Sequence, residues 1–96
     1  MKIKIIDYVK WPVASSRFKA KEIIEQKNID FSKDDIIFDF QNIEVASHSF
    51  VDELIGPYIQ EIWKIPQNVK FKNCNEYVKD QIKFVITDRI KNPIYA

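Results

Sequence analysis

Three times along this chain of 96 residues, a short apolar run gives way to a polar break and then to apolar residues at helical spacing. Residues 2–9, 36–40 and 69–72 read as strands. Helices are predicted from Ser15 or Ser16 to about residue 27, from Ser49 to about residue 64, and from about residue 76 to residue 91, with Asn73 or Asn75 capping the last. Pro66 and Pro93 stop the second and third of these helices, and Pro12 leaves residues 10–14 as a turn or a short edge strand. Alternation with such short connections implies parallel strands joined by right-handed helical crossovers. The strand 36–40 is almost wholly apolar, as strands covered on both faces are. The fold class is therefore α/β, in a single domain over residues 1–96.

That topology starts every helix at the carboxyl edge of the sheet. Ser15-Ser16-Arg17, Ser47-His48-Ser49 and Asn73-Cys74-Asn75 should then gather along one edge, where open α/β sheets bind their ligands. The N–H groups of a helix start and its positive dipole end favour an anion there. Ser16, Arg17 and Asn75 are the candidate anion-binding residues.

Gly56 is the only glycine, which removes a dinucleotide-binding turn, a phosphate-binding P-loop and a nucleophile elbow at once. Cys74 is the only cysteine, so no intrachain disulfide forms and a reducing compartment is the simplest home. It reads as a structural thiol, although a place near a helix start is one that lowers a thiol pKa. The net charge is +1 with both signs interspersed, against a dedicated nucleic-acid or anionic-membrane surface. The charged N-terminus is no signal peptide, and no apolar run approaches the roughly 18 residues of a membrane span. The expectation is a cytoplasmic protein with no nucleic-acid or membrane partner.

The most telling segment is the strand–turn–helix at residues 38–54. Ser49-x-x-Asp52 has a capping-box pattern, with Asp52 in the place of the usual Glu or Gln. Ser49 thus reads as a helix cap and also as a phospho-acceptor candidate, with Asp52 and Glu53 repelling an added phosphate. His48, the sole histidine, has no ligand-spaced partner for a metal and no nucleophile to serve as base. Arg17 stands in a first helical turn, against the dipole, so a carboxylate or an anion should hold it. Asp52, Glu53 and Asp7 are the available acids. No catalytic set, metal site or cofactor site is readable, and the chain is expected not to be an enzyme.

The second helix carries Phe50, Val51, Leu54, Ile55, Tyr58, Ile59, Ile62 and Trp63, a sweep of roughly 220° where a sheet-facing stripe needs about 100°. In the last helix Val78, Ile82, Val85, Ile86 and Ile90 face inward, while Tyr77 and Phe84 fall nearly opposite. Neighbouring helices, the tail 93–96 or another chain must cover these groups. Tyr77 and Phe84 are a second interface candidate, and a homodimer through the wide face of the second helix stands beside a hetero-complex.

Ser16-Arg17-x-x-Ala20, then Phe38-Asp39-Phe40-x-x-Ile43, Ser49-Phe50-x-Asp52-Glu53-Leu54, and Val69-x-Phe71-x-Asn73-x-Asn75-x-x-Val78 resemble the STAS-like family of unknown function, over about residues 15–90. That family is related to the anti-anti-sigma factors and the wider STAS superfamily. The resemblance implies a small, mostly parallel STAS-like sheet with an N-terminal strand or hairpin and three helices packed mainly on one face. In anti-anti-sigma factors the matching strand–turn–helix docks on a partner kinase, and a serine at its helix start is phosphorylated to break the contact. Ser49 matches that serine. The usual Asp-Ser-Ser-Gly is Ser47-His48-Ser49-Phe50 here, without the acid or the glycine.

The functional expectation is a non-enzymatic regulatory module that engages another protein, a kinase-like ATPase or regulatory partner, through Ser47, His48, Ser49, Phe50, Asp52 and Glu53. Ser47 and His48 form the turn, Phe50 packs beneath it, and Asp52 and Glu53 present charge to a basic partner. The alternatives are a module that binds a nucleotide or other anion at the helix starts, and a stand-alone phage or mobile-element inhibitor or antitoxin-like protein.

Overall fold

The computed structural model describes residues 1–31, 33–62 and 68–91. Trp63, Lys64, Pro66 and the tail 93–96, on which the predicted end of the second helix and a predicted cover for the last depend, lie outside the described residues. So do the side chains of Tyr58 and Ile62.

The chain runs β1 (Lys2–Lys4), α1 (Ile6–Val9), β2 (Val13–Ala14), α2 (Arg17–Gln26), β3 (Ile36–Asp39), β4 (Val45–Ala46), α3 (His48–Ile62), β5 (Val69–Lys72) and α4 (Glu76–Lys91). All strand pairs are parallel. β3 lies between β1 and β5, with Ile3 opposite Phe38 and Phe38 opposite Phe71, while β2 and β4 pair as a second, two-stranded sheet. The small, mostly parallel α/β architecture is the one expected.

Several details differ. The first strand ends at Lys4, and Ile6–Val9 forms a single helical turn closed by Lys10 in the left-handed region at φ 56°. Ile5 makes the last ladder bond, its N–H to Asp39 O at 3.0 Å, and is fully buried; its side chain belongs to the core although the strand has ended. The helices thus number four among the described residues, not three, and the N-terminal segment builds no hairpin. β4 falls where only a polar turn was expected. Two-residue strands carry no periodicity to read; β4 exists because Glu44, Val45 and Ser47 donate N–H bonds to Pro12 O and Ala14 O on the β2 segment.

Parallel pairing puts alternate residues on one face of the sheet. Ile3, Ile36, Phe38, Val69 and Phe71 share the face that packs on the helices, where Phe38 and Phe71 stack at 5.9 Å. The opposite face of β3 carries Ile37, only half-buried, and Asp39, so this strand is not wrapped in apolar layers on both sides. On the helix side α3 lies between α2 and α4. Phe50, Val51, Leu54, Ile55 and Ile59 are fully or almost fully buried among Ala20 and Ile23 of α2 and Val78, Ile82 and Val85 of α4. The sheet, α2 and α4 together cover these five residues of the apolar sweep on α3, which are not available to a second copy of the chain.

Candidate functional site

The start of α3 is built by Ser47. Its Oγ accepts the Phe50 N–H at 3.1 Å and its carbonyl the Val51 N–H at 3.1 Å, which makes Ser47 the N-cap. The same hydroxyl donates to Ser15 O at 3.2 Å, tying the starts of α3 and α2 together across the β2–β4 pair. Ser49 is therefore not the cap, and Ser49-x-x-Asp52 is not a capping box: Ser49 stands half-buried in the first turn. Ser16 caps α2, accepting the Lys19 N–H at 3.3 Å, and Asn75 caps α4 through the Val78 N–H at 2.8 Å.

Two of the three helix starts meet; the third does not. Asn75 Nδ2 donates to Glu44 O at 2.9 Å, at the amino end of β4, whereas Ser15, Ser16 and Ser47 lie past the carboxyl ends of β2 and β4. α4 reaches the start of α3 only part-way along its length. There the Phe84 ring meets His48 edge-on at 5.3 Å and 71°. Phe84 lies eight residues past Glu76, roughly 12 Å along the helix axis. Ser16, Arg17 and Asn75 therefore do not form one anion pocket, and the polar side chains of Ser16 and Asn75 are already used as caps.

Asp52 is 7 % exposed, and it does not present charge to a partner. Arg89 from the end of α4 grips it with two bonds, Nε to Oδ1 at 2.8 Å and Nη2 to Oδ2 at 2.9 Å. Arg17 adds longer contacts of 3.4 Å to both Asp52 Oδ2 and Glu53 Oε2, as the first-turn position of that arginine led one to expect. One carboxylate on α3 thus joins α2 and α4. Burial pushes the Asp52 pKa up, but hydrogen bonds and charge from Arg89, then from Arg17, outweigh it and hold it below the ordinary value.

Gly56 explains itself here. A β-carbon at this position would lie 2.8 Å from Asp52 Oδ1 and 2.9 Å from Arg89 Nε. The one glycine of the chain clears the surface of α3 so that the guanidinium can cross to Asp52. The Asp52–Arg89 pair escaped the sequence reading because its members are 37 residues apart. The signal that could have found it is a glycine inside an apolar helix, where it costs about 0.5–1 kcal/mol against alanine, four residues after a buried-side acid.

Phe50 is fully buried and packs beneath the turn, so it belongs to the fold and not to a contact surface. His48, Ser49 and Glu53 remain at the surface in part, and Tyr77 and Phe84 are 48 % and 59 % exposed. A shallow cavity of about 320 Å³ beside them is lined by His48, Asp52, Asp88 and Arg89. Cys74 is half-buried; burial pushes its thiol pKa up, against an activated nucleophile. Among the described residues no group of three or more His, Cys, Asp or Glu is placed to hold a metal ion, and no helix is long and apolar enough to cross a membrane.

A family model described as a STAS-like domain of unknown function matches residues 19–79, which span β3 to β5 and the whole α3 start. The chain belongs to that family. No curated protein and no solved structure matches it. The matched region takes in Ser47, Gly56 and Asp52 of this STAS-like domain but stops before Phe84 and Arg89, which complete the site from the far part of α4.

Proposed function

We propose that this STAS-like domain is a non-enzymatic regulatory module that docks another protein on the surface formed by the start of α3 and the outer side of α4. The observation that carries the reading is the edge-on contact of His48 with Phe84. It joins the helix start expected to bind a partner to the exposed aromatic side of α4 as one surface. An exposed aromatic flanked by polar groups is the composition of an interface centre. His48, Ser49, Glu53 and Phe84 are the contact residues; Phe50, Asp52 and Arg89 hold them in place from beneath.

Ser49 is the point of control in this reading. A phosphate there would stand in the first turn of α3, where the dipole favours an anion. The repulsion expected from Asp52 is largely offset, since Arg89 and Arg17 already neutralise that carboxylate. Glu53 faces a basic partner surface in this reading, and a phosphate on Ser49 would disrupt the contact by its bulk and the desolvation cost of its charge. By the family resemblance the partner is a kinase-like ATPase.

The test is capture from native lysate by wild type, Ser49→Glu and Phe84→Asp, with a circular-dichroism melt of each. A protein retained by wild type and lost by both folded variants supports the interface. Identical partners for all three would remove this surface from consideration.

A further inference from the structure

The near-neutral net charge hides a segregation that only the strand register exposes. On the sheet face away from α2, α3 and α4, β1 contributes Lys2 and Lys4, and β5 contributes Lys70 and Lys72, all exposed. In register they form two rows, Lys2–Ile37–Lys70 and Lys4–Asp39–Lys72. Among the described residues only Lys2 of the four has a carboxylate partner, Asp39 at 3.5 Å. Asp39 itself is 1 % exposed and engaged by Asn73 and the Gln41 N–H, so its charge is turned inward. A cavity of about 490 Å³ at the β1 edge is lined by Lys2, Lys4 and Lys27 together with Ile3, Asp7 and Tyr8, so three cations there stand beside one carboxylate.

We infer that this helix-free sheet face is a second docking surface, fitted to an extended acidic peptide segment of a partner protein. Lysines two apart on one strand stand about 6.7 Å apart, and the two lysine-bearing strands are about 9.6 Å apart. An extended chain with acids at alternate positions repeats on one side at that same ~6.7 Å, so laid along the strands its carboxylates match the two lysines of one strand, Lys2 and Lys4 or Lys70 and Lys72, in step. Ile37 on β3, between the two lysine-bearing strands, offers an apolar contact at the centre. Other occupants fit less well. A second copy would set lysine against lysine. Single-stranded nucleic acid needs a series of rings on which successive bases stack, and the two rows carry none, Tyr8 standing only at the β1 edge. A lipid surface needs more apolar depth than one isoleucine supplies. The inference does not rest on the α3 surface, which lies on the other side of the sheet.

The test uses the full chain and a fluorescein-labelled peptide of about twelve residues alternating Glu and Thr, read by anisotropy at low and at physiological ionic strength. Saturable binding is expected, weakened roughly tenfold by Lys70→Glu with Lys72→Glu. Lys19→Glu with Lys21→Glu removes the same charge from α2 and should change binding less than twofold. If the sheet-face variant does not fold by circular dichroism, Lys70→Gln with Lys72→Gln against Lys19→Gln with Lys21→Gln carries the same comparison. No binding at low ionic strength, or equal loss in both pairs, overturns the proposal. So does tighter binding of a duplex oligonucleotide or of phosphatidylserine vesicles to the same lysines.

Discussion

Asp39 and Asp52 are the two buried acids among the described residues, and opposite means hold them. Asp52 is met by guanidinium groups from two other helices. Asp39 is met mainly by neutral donors, the Gln41 N–H and Asn73 Nδ2, each 2.9 Å from Oδ1, while Oδ2 is buried without a hydrogen bond and has only Lys2 at 3.5 Å. The first arrangement clamps three helices. The second shapes two turns at the carboxyl edge, where Asn42 and Asn73 adopt positive φ of 67° and 58°. Both pKa values are lowered: at Asp39 the Asn73 hydrogen bond is the largest influence, partly opposed by burial. At Asp52 burial is the largest influence and is overcome by the arginines. Charge partners thus govern how the helix layer is assembled, and amide partners govern how one strand turns.

Removing Asp52 should have the largest effect. Asp52→Ala leaves Arg89, whose side chain is 20 % exposed, without its bidentate partner. Breaking such a pair costs about 3–5 kcal/mol when both groups are fully buried; partial access of the arginine to water brings it to about 2–3 kcal/mol. For a domain of this size that is a fall of roughly 10–20 °C in Tm, measurable in one thermal melt. Gly56→Ala should cost less and reach the same clamp from the other side. Alanine is a better helix former by about 1 kcal/mol, but its methyl group displaces Asp52 or Arg89. The net loss expected is about 1–2 kcal/mol. In an Asp52→Ala background the same change should turn stabilising, and a double-mutant cycle reads the reversal.

Asp39→Asn is milder. An amide oxygen can still accept from Gln41 and Asn73, so a loss of about 1 kcal/mol is expected by chemical denaturation. Acid separates the two sites further. A carboxylate whose folded pKa lies below its unfolded one stabilises the fold above the ordinary value near 4, and that contribution drains away as pH falls through the folded value. Wild type should therefore lose stability below about pH 4. Asp52→Asn and Asp39→Asn should each flatten that loss, and a series of melts from about pH 6 to pH 2 would apportion it between them.

Much of this was legible in the chain itself. The starts of two helices were legible to within one or two residues, as Ser15 or Ser16 and as Asn73 or Asn75, and Ser16 and Asn75 are the members of each pair that cap. Arg17 could be paired with Asp52 and Glu53 because its unfavourable place on the helix dipole demanded an acid. Ser47 and Ser49, by contrast, are equally good caps by composition. The choice falls to the β2–β4 pairing, which sets Ser47 N–H on Ala14 O and so fixes where the helix begins. The lysine rows were invisible for the same reason: Lys2 and Lys72 become neighbours of β3 only through register, which local spacing does not encode.

The smallest change tests which arginine sustains the clamp. Arg17 is half-exposed at 52 %, lies 3.4 Å from each of two acids, and divides its charge between them. Water and salt screen such a contact, so Arg17→Gln should cost no more than about 0.5 kcal/mol and lose even that at high ionic strength. Arg89→Gln should instead approach Asp52→Ala, with little dependence on salt, because its two bonds are short, parallel and mostly shielded. Urea titrations of both variants at low and high salt give the comparison directly. Equal costs for the two would mean that Asp52 is held by the summed positive field around it. A cost confined to Arg89 would mean that the bidentate geometry holds it, with Arg17 a screened surface contact shared between Asp52 and Glu53.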